Sequence, residues 1–167
     1  ITSVTGSPSS KQRPAPLNTI KLQVEASRHL RLGAEETMAI ADKLYQEQKL
    51  SYPRTETNNW PADIDPHPLV SLQRGHTIWG GYAAALLDQR KFRQARDGGE
   101  TDNSHPPIHP IKLCQPNEFS DVKDRHVYEL VTRCFLATFS DDARGQRTSI
   151  RAMVGGESFT PSGTTVT

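Results

Sequence analysis

The chain has 167 residues, which suits one domain or one domain with pieces of another. Hydrophobic residues make up 34%, against a usual share of about 45–50% that also counts glycine, so the core is modest and the surface loops are long. The formal net charge of +1 excludes a binding mode driven by overall basicity and leaves only a local basic groove.

Residues 1–16 (ITSVTGSPSSKQRPAP) read as the end of a strand followed by a linker. Asn18 or Thr19 then caps a predicted helix to about Leu30, with Ile20, Val24 and Ala26 facing a core. Residues 34–48 (AEETMAIADKLYQEQ) form the clearest helix, with Met38, Ala41, Leu44 and Tyr45 at helical spacing. Glu35 and Glu36 sit in its first turn, where the helix dipole favours them. The residue before a proline is pushed out of the helical region, so Pro53 is expected to end this helix and hold Tyr52 extended.

An irregular stretch over 55–69 leads to a predicted helix from Thr77 to Arg90, despite Gly80 and Gly81. Residues 91–117 read as loop, rich in Gly, Asp and Pro. Residues 124–140 (DRHVYELVTRCFLATFS) form a strong amphipathic helix through Val127, Leu130, Val131, Cys134, Phe135 and Ala137. The tail from Thr148 to Val166 alternates as strands do, around Gly155-Gly156. Its polar ends and its lack of an initial methionine read as a piece excised from a larger protein.

Several chemistries find no support. Cys114 and Cys134 stand far apart without a CxxC, which reads as reduced thiols in an intracellular protein. No apolar run is long enough for a membrane span, and no signal-peptide pattern occurs. No phosphate-binding GxxxxGK[ST] loop and no HExxH motif are present. Gly98-Gly99 is a turn signal. The carboxylates of Asp63, Asp65, Asp141 and Asp142 read as solvated charges. Arg90, Lys91, Arg93 and Arg96 form a basic cluster around Phe92, equally readable as a backbone contact for nucleic acid or as a solvated helix end.

Two stretches carry potential chemistry. In LSYPRTET, Tyr52 is either a packed aromatic at a helix stop or a nucleophile. A phenol with a pKa near 10 attacks slowly unaided. A neighbouring arginine such as Arg54 supplies what attack on a phosphodiester needs, a fixed cation for the non-bridging oxygens. In SHPPIHP, His105 and His109 have i, i+4 spacing, but Pro106 and Pro107 forbid an ordinary helix, so the rings need not share a face. A metal site built on them is disfavoured.

Taken together, RPAPLNT (residues 13–19), ADKLYQEQKLSYPRTET (41–57), SHPPIHP (104–110) and VYELVTRCFLATFSDDA (127–143) resemble the type IA DNA topoisomerases, most closely the eukaryotic topoisomerase III group on its alpha-like branch. Residues 72–103 match poorly and look like a lineage-specific insertion or loop. The resemblance implies an α+β, mainly α fold: a winged-helix-like (CAP-like) tyrosine domain over 17–147. Strands of a gate-forming β domain would flank it, ending with a linker at 1–16 and returning at 148–167.

The resemblance also implies roles. Tyr52 would attack one strand of single-stranded DNA and form a 5′-phosphotyrosine link without ATP, allowing strand passage, decatenation and relaxation of negative supercoils. Arg54 would stabilise the phosphate, and His105 would support it. Thr55 and Glu56 would shape the DNA site. His109 would join them at the DNA site, at a position where bacterial relatives carry arginine. Mg2+ would be bound by a Toprim domain that these residues do not include, so this chain alone is expected not to relax DNA. Expected partners are single-stranded DNA, a RecQ-family helicase and an OB-fold accessory subunit; the expected location is the nucleus, in recombination and repair. The alternatives are a non-catalytic winged-helix nucleic-acid-binding module or a protein-interaction module. A tyrosine recombinase is disfavoured because its dispersed arginine set is not evident.

Overall fold

The structure, a computed structural model, describes residues 1–88 and 91–166. Among them are five α-helices and a four-stranded antiparallel sheet, an α+β architecture. The chain divides into two compact units, one of Ile1–Arg13 with Asp141–Thr167 and one of Pro14–Ser140.

The first unit is a β ribbon. Strand β1 (Ser3–Lys11) pairs along β2 (Ala143–Val154) from Ser3↔Arg151 to Lys11↔Ala143. The other edge of β2 pairs with β3 (Glu157–Phe159) and β4 (Ser162–Val166). The hairpin turn falls on Gly155 and Gly156, at φ 54° and 87°, values that glycine adopts without steric cost. Pro161 separates β3 from β4 because it has no N–H to give the ladder, yet its carbonyl still accepts from the Ile150 N–H at 3.0 Å. At the base, Arg13 Nη1 meets Asp142 Oδ1 at 2.9 Å. The apolar side chains of Val4, Val154 and Phe159 are all exposed, so the backbone ladder, not burial, carries this unit. Ser3–Lys11 therefore form a full strand where only a strand end was expected, and the return strand begins at Ala143, ahead of Thr148.

The second unit is helical. Helix α1 (Thr19–Leu30) starts at Asn18, whose Oδ1 accepts from the Lys21 N–H at 2.9 Å. Its core face is Leu22 and Ala26, both fully buried, while Ile20 is 71% exposed and Val24 is 43% exposed. The expectation for Ile20 and Val24 was wrong. Apolar residues lie on two sides of this helix, and packing against α2 (Ala34–Gln46) and α5 (Val122–Thr138) selects the Leu22 side. Helix α2 buries Met38, Ile40, Ala41 and Leu44, but its Tyr45 stays exposed.

Pro53 does not end α2. The helix closes at Gln46, and Gln48 takes the left-handed conformation at φ 58°, which brings the N–H groups of Lys49 and Leu50 back onto the Leu44 carbonyl. Residues 49–51 then run antiparallel to 109–111: the Ser51 N–H reaches the His109 carbonyl at 2.9 Å and the Ile111 N–H reaches that of Lys49 at 3.1 Å. A similar bridge joins Leu17 to Ile108.

Two short helices follow, α3 (His67–Leu72) and α4 (Gly80–Asp88). The predicted helix from Thr77 begins three residues later, because residues 77–79 form a turn with the Trp79 ring stacked on His76; its expected end at Arg90 lies outside the described residues. Helix α5 starts at Asp121, whose Oδ1 accepts from the Lys123 N–H at 2.6 Å. It buries Val127, Tyr128, Val131, Phe135 and Leu136 against α1 and α2. Full burial of each such side chain is worth about 1.5–3 kcal/mol. Of the loop expected over 91–117, residues 91–115 contain neither helix nor extended strand, while Pro116 and Asn117 open a 3-10 turn, Pro116–Glu118; the loop is packed, with Phe92 stacked on Phe139 at 4.9 Å and the Arg93 N–H donating to the Phe139 carbonyl at 2.8 Å.

Candidate active site

Tyr52 leaves the short ribbon formed by residues 49–51 and 109–111, so a half-buried phenol stands at the end of a backbone ladder. Its ring meets two others. Tyr45, from the last turn of α2, lies edge-on at 5.3 Å, and the His105 imidazole lies at 4.9 Å with a 38° tilt. Among the described residues none hydrogen-bonds to the Tyr52 hydroxyl, so the phenol oxygen has no structural duty.

The segment after Tyr52 is held from below by the start of α1. Thr19 Oγ1 donates to the Pro53 carbonyl at 2.7 Å and accepts the Thr55 N–H at 2.9 Å, while the Thr19 N–H donates to the Thr55 carbonyl at 3.0 Å. Asn18 Nδ2 reaches the Glu56 carbonyl at 3.2 Å. Asn18 and Thr19, at the end of RPAPLNT, thus clamp SYPRTET. Arg54 projects outward from it, with Nη2 2.6 Å from Asp42 Oδ2 on α2. Its side chain remains 57% exposed, and the Asp42 hydrogen bond raises its pKa further, so it is a fixed cation open to an anion.

His105 reaches Tyr52 through Asp102, a residue that the sequence reading passed over. Asn58 exchanges hydrogen bonds with Glu100, its N–H to the Glu100 carbonyl at 3.1 Å and its Oδ1 from the Glu100 N–H at 2.9 Å. Gly98 permits this approach, since a Cβ there would stand 2.3 Å from Asn58 Oδ1. Asn103 turns the chain in the left-handed conformation at φ 57°, which asparagine tolerates. The N–H groups of His105 and Ser104 then converge on Asp102 Oδ1 at 2.8 and 2.9 Å. Thr57 Oγ1 donates to the same oxygen at 3.2 Å. Thr55 Oγ1 and His105 Nδ1 lie 3.1 and 3.2 Å from Oδ2. The His105 and Ser104 backbone N–H groups hold this carboxyl far below the usual carboxylate range.

The predicted site residues therefore fall into three places. Tyr52, Thr55 and His105 are brought together, with Arg54 beside them. Glu56 is exposed, and only its backbone is engaged. His109 is buried in the core, 6% exposed, with Nδ1 donating to the Pro107 carbonyl at 2.7 Å and its ring edge-on to Trp60 at 5.2 Å. Burial pushes its pKa down. The two prolines do separate the two imidazoles. Sequence reasoning also missed Thr19, Tyr45 and Thr57. The available signal for Asp102 was an aspartate three positions before a histidine in a polar loop, the pattern of a side chain that collects local N–H groups.

The DNA topoisomerase family profile matches residues 1–167. The chain is 43% identical over 163 residues to DNA topoisomerase 3-alpha of Drosophila melanogaster, covering 98% of this chain and 13% of that protein. It is 42% identical to the Homo sapiens DNA topoisomerase 3-alpha over 98% of this chain and 16% of that one. It is 41% identical to DNA topoisomerase 3 of Saccharomyces cerevisiae over 95% of this chain and 26% of that one. The chain thus spans about a quarter or less of these relatives. Its fold is similar to that of full-length topoisomerase I from Thermotoga maritima, with a TM-score of 0.63 at 19% identity over 98% of this chain and 27% of that one. The chain belongs to the type IA DNA topoisomerase family, on its topoisomerase III branch.

Proposed function

We propose that this chain supplies the tyrosine half of a DNA strand-passage site. The observation that carries the reading is the Tyr52 phenol, free of hydrogen-bond partners among the described residues, set 4.9 Å from the His105 ring and followed by the exposed Arg54. Tyr52 Oη attacks a phosphorus of single-stranded DNA. The bond from phosphorus to the 3′ oxygen breaks, the phenol proton passes to solvent, and the departing oxygen takes up a proton to become a 3′-hydroxyl. The new 5′-phosphotyrosine ester retains the bond energy, so attack by that hydroxyl reseals the strand without ATP. Passage of another strand before resealing gives decatenation and relaxation of negative supercoils.

Arg54 stabilises the non-bridging oxygens as charge builds on them, with Asp42 holding the guanidinium until phosphate competes. His105 supports the same phosphate. Thr55 fixes the segment's shape through Asp102 and Thr19, and the exposed Glu56 edges the DNA path. The buried His109 takes a supporting part under the site, its backbone N–H donating to Ser51 Oγ at 2.9 Å.

The residues here do not fit the expected Mg2+. Among those described, no group of three or more His, Cys, Asp or Glu side chains could hold a metal, and the Asp102 oxygens are already occupied by donors. We assign the ion to a Toprim domain outside these 167 residues and route no step through it. The helical unit is read as the winged-helix-like (CAP-like) tyrosine domain and the ribbon as part of the gate-forming β domain, on the order of the motifs. Nuclear location, and association with a RecQ-family helicase and an OB-fold subunit, are proposed from the topoisomerase III relationship. The experiment is to trap the full-length enzyme on single-stranded DNA with denaturant, digest it with nuclease and trypsin, and find the nucleotide-bearing peptide by mass spectrometry. A nucleotide on LSYPR (residues 50–54) supports the reading, and one on another peptide overturns it.

A further inference from the structure

We infer that Asp102 is a positioning residue for strand cleavage: it fixes the tautomer and orientation of His105 and locks that ring to the tyrosine segment. The inference rests on the reading of Tyr52 and His105 given above. Two features of the geometry carry it.

The first is the direction of the hydrogen bond between side chains. The carboxyl is deeply stabilised as a carboxylate by the N–H groups of His105 and Ser104, and a carboxylate only accepts. His105 Nδ1, 3.2 Å from Oδ2, must therefore carry the hydrogen, which leaves Nε2 as the ring nitrogen available to a phosphate. The second is that the same carboxylate bridges two segments. Thr55 and Thr57 bind it from the tyrosine side, and Ser104 and His105 from the histidine side. A shift of the His105 loop relative to Tyr52 would break contacts on both. The charge of Asp102 is also met by five hydrogen bonds, so it stands beside a phosphate site without strongly repelling the phosphate. No metal-site pattern surrounds it among the described residues.

The test is a double-mutant cycle in the full-length enzyme, reading the single-turnover cleavage rate of a single-stranded oligonucleotide and its dissociation constant. Asp102→Asn keeps the side-chain shape. It is expected to lower the bound-state cleavage rate by about 10- to 100-fold, the scale of lost outer partners of an oriented imidazole, with affinity changed less than about twofold. In a His105→Ala background the same change is expected to cost nothing more. Equal losses in both backgrounds, a wild-type rate, or a loss confined to affinity each overturn the inference. Should Asp102→Asn fail to fold, the 15N spectrum of histidine-labelled enzyme decides: a His105 ring protonated at Nδ1 supports the inference, and one protonated only at Nε2 overturns it. His105→Gln identifies the signal. Tyr52→Phe run in parallel separates the two levels. An adduct surviving in it removes the underlying reading, whereas its loss there with a wild-type Asp102→Asn rate removes only the positioning role.

Discussion

The rings of Tyr52 and His105 stand 4.9 Å apart although a long excursion of chain separates them. Both are anchored through one aspartate, whose oxygens collect Thr55 and Thr57 from one side and Ser104 and His105 from the other. The helical core positions the tyrosine segment, through the Thr19 clamp and the bridge between Leu50 and Pro110. The site is thus a hydrogen-bonded junction of three loops on packed helices.

Arg54→Lys should be damaging even though the charge is kept. Lysine cannot reproduce the planar fork that holds two phosphate oxygens. The single-turnover cleavage rate of the full-length enzyme should fall by about 10- to 100-fold. An unchanged rate would count against Arg54 as the phosphate clamp.

Thr19→Val tests the clamp. The change preserves shape but removes an oxygen that donates to the Pro53 carbonyl and accepts from the Thr55 N–H. Leaving these half-buried groups unpaired should cost about 1–3 kcal/mol of stability, visible in denaturant unfolding, and should slow cleavage. Unaltered stability and cleavage would show that the clamp is dispensable.

Stability should fall as pH drops below about 6.5, the ordinary histidine value. Burial lowers the pKa of His109 and of His76 in the fold, so the unfolded chain takes up protons first. The loss begins near the unfolded value and continues until the folded values are reached, at up to about 1.4 kcal/mol per pH unit for each residue. Asp102, Asp65 and Glu25 have lowered pKa values, so their contribution disappears only under more acid conditions. Denaturant midpoints between pH 7 and pH 5 should therefore decline, and less so in His109→Gln. A flat profile would contradict this.

The 167 residues alone should not relax DNA if, as proposed, the metal-binding half of the site belongs to a Toprim domain outside them. Plasmid relaxation assays with stoichiometric polypeptide should leave negative supercoils intact. Relaxation at that ratio would refute the divided site.

Much of this was legible from sequence. Helix α5 was placed to within two residues at each end, because its apolar stripe is long and regular. Asn18 was one of two cap candidates offered by residue type and position, with Thr19, and the structure selects Asn18. The errors have physical reasons. Ile20 and Val24 are apolar, but the core lies across the helix at Leu22, a choice made by tertiary packing. The stop of α2 was ascribed to Pro53, while Gln48, with no strong turn signal, makes the turn in the left-handed region. Tyr52 and His105 were both visible as candidates, but their meeting depends on Asp102, in a stretch that the sequence shows only as polar loop. Backbone N–H groups that converge on a carboxylate leave almost no trace in composition or periodicity.

The central claim is that the Tyr52 hydroxyl becomes covalently joined to DNA. The direct measurement uses full-length enzyme and its Tyr52→Phe variant on a single-stranded oligonucleotide labelled at its 3′ end, quenched with denaturant and resolved by size. Labelled DNA should migrate with the protein for the unaltered enzyme and not at all for Tyr52→Phe, whose oligonucleotide binding persists because only the unpartnered hydroxyl is removed. A labelled protein band of undiminished intensity in the Tyr52→Phe lane would contradict the assignment.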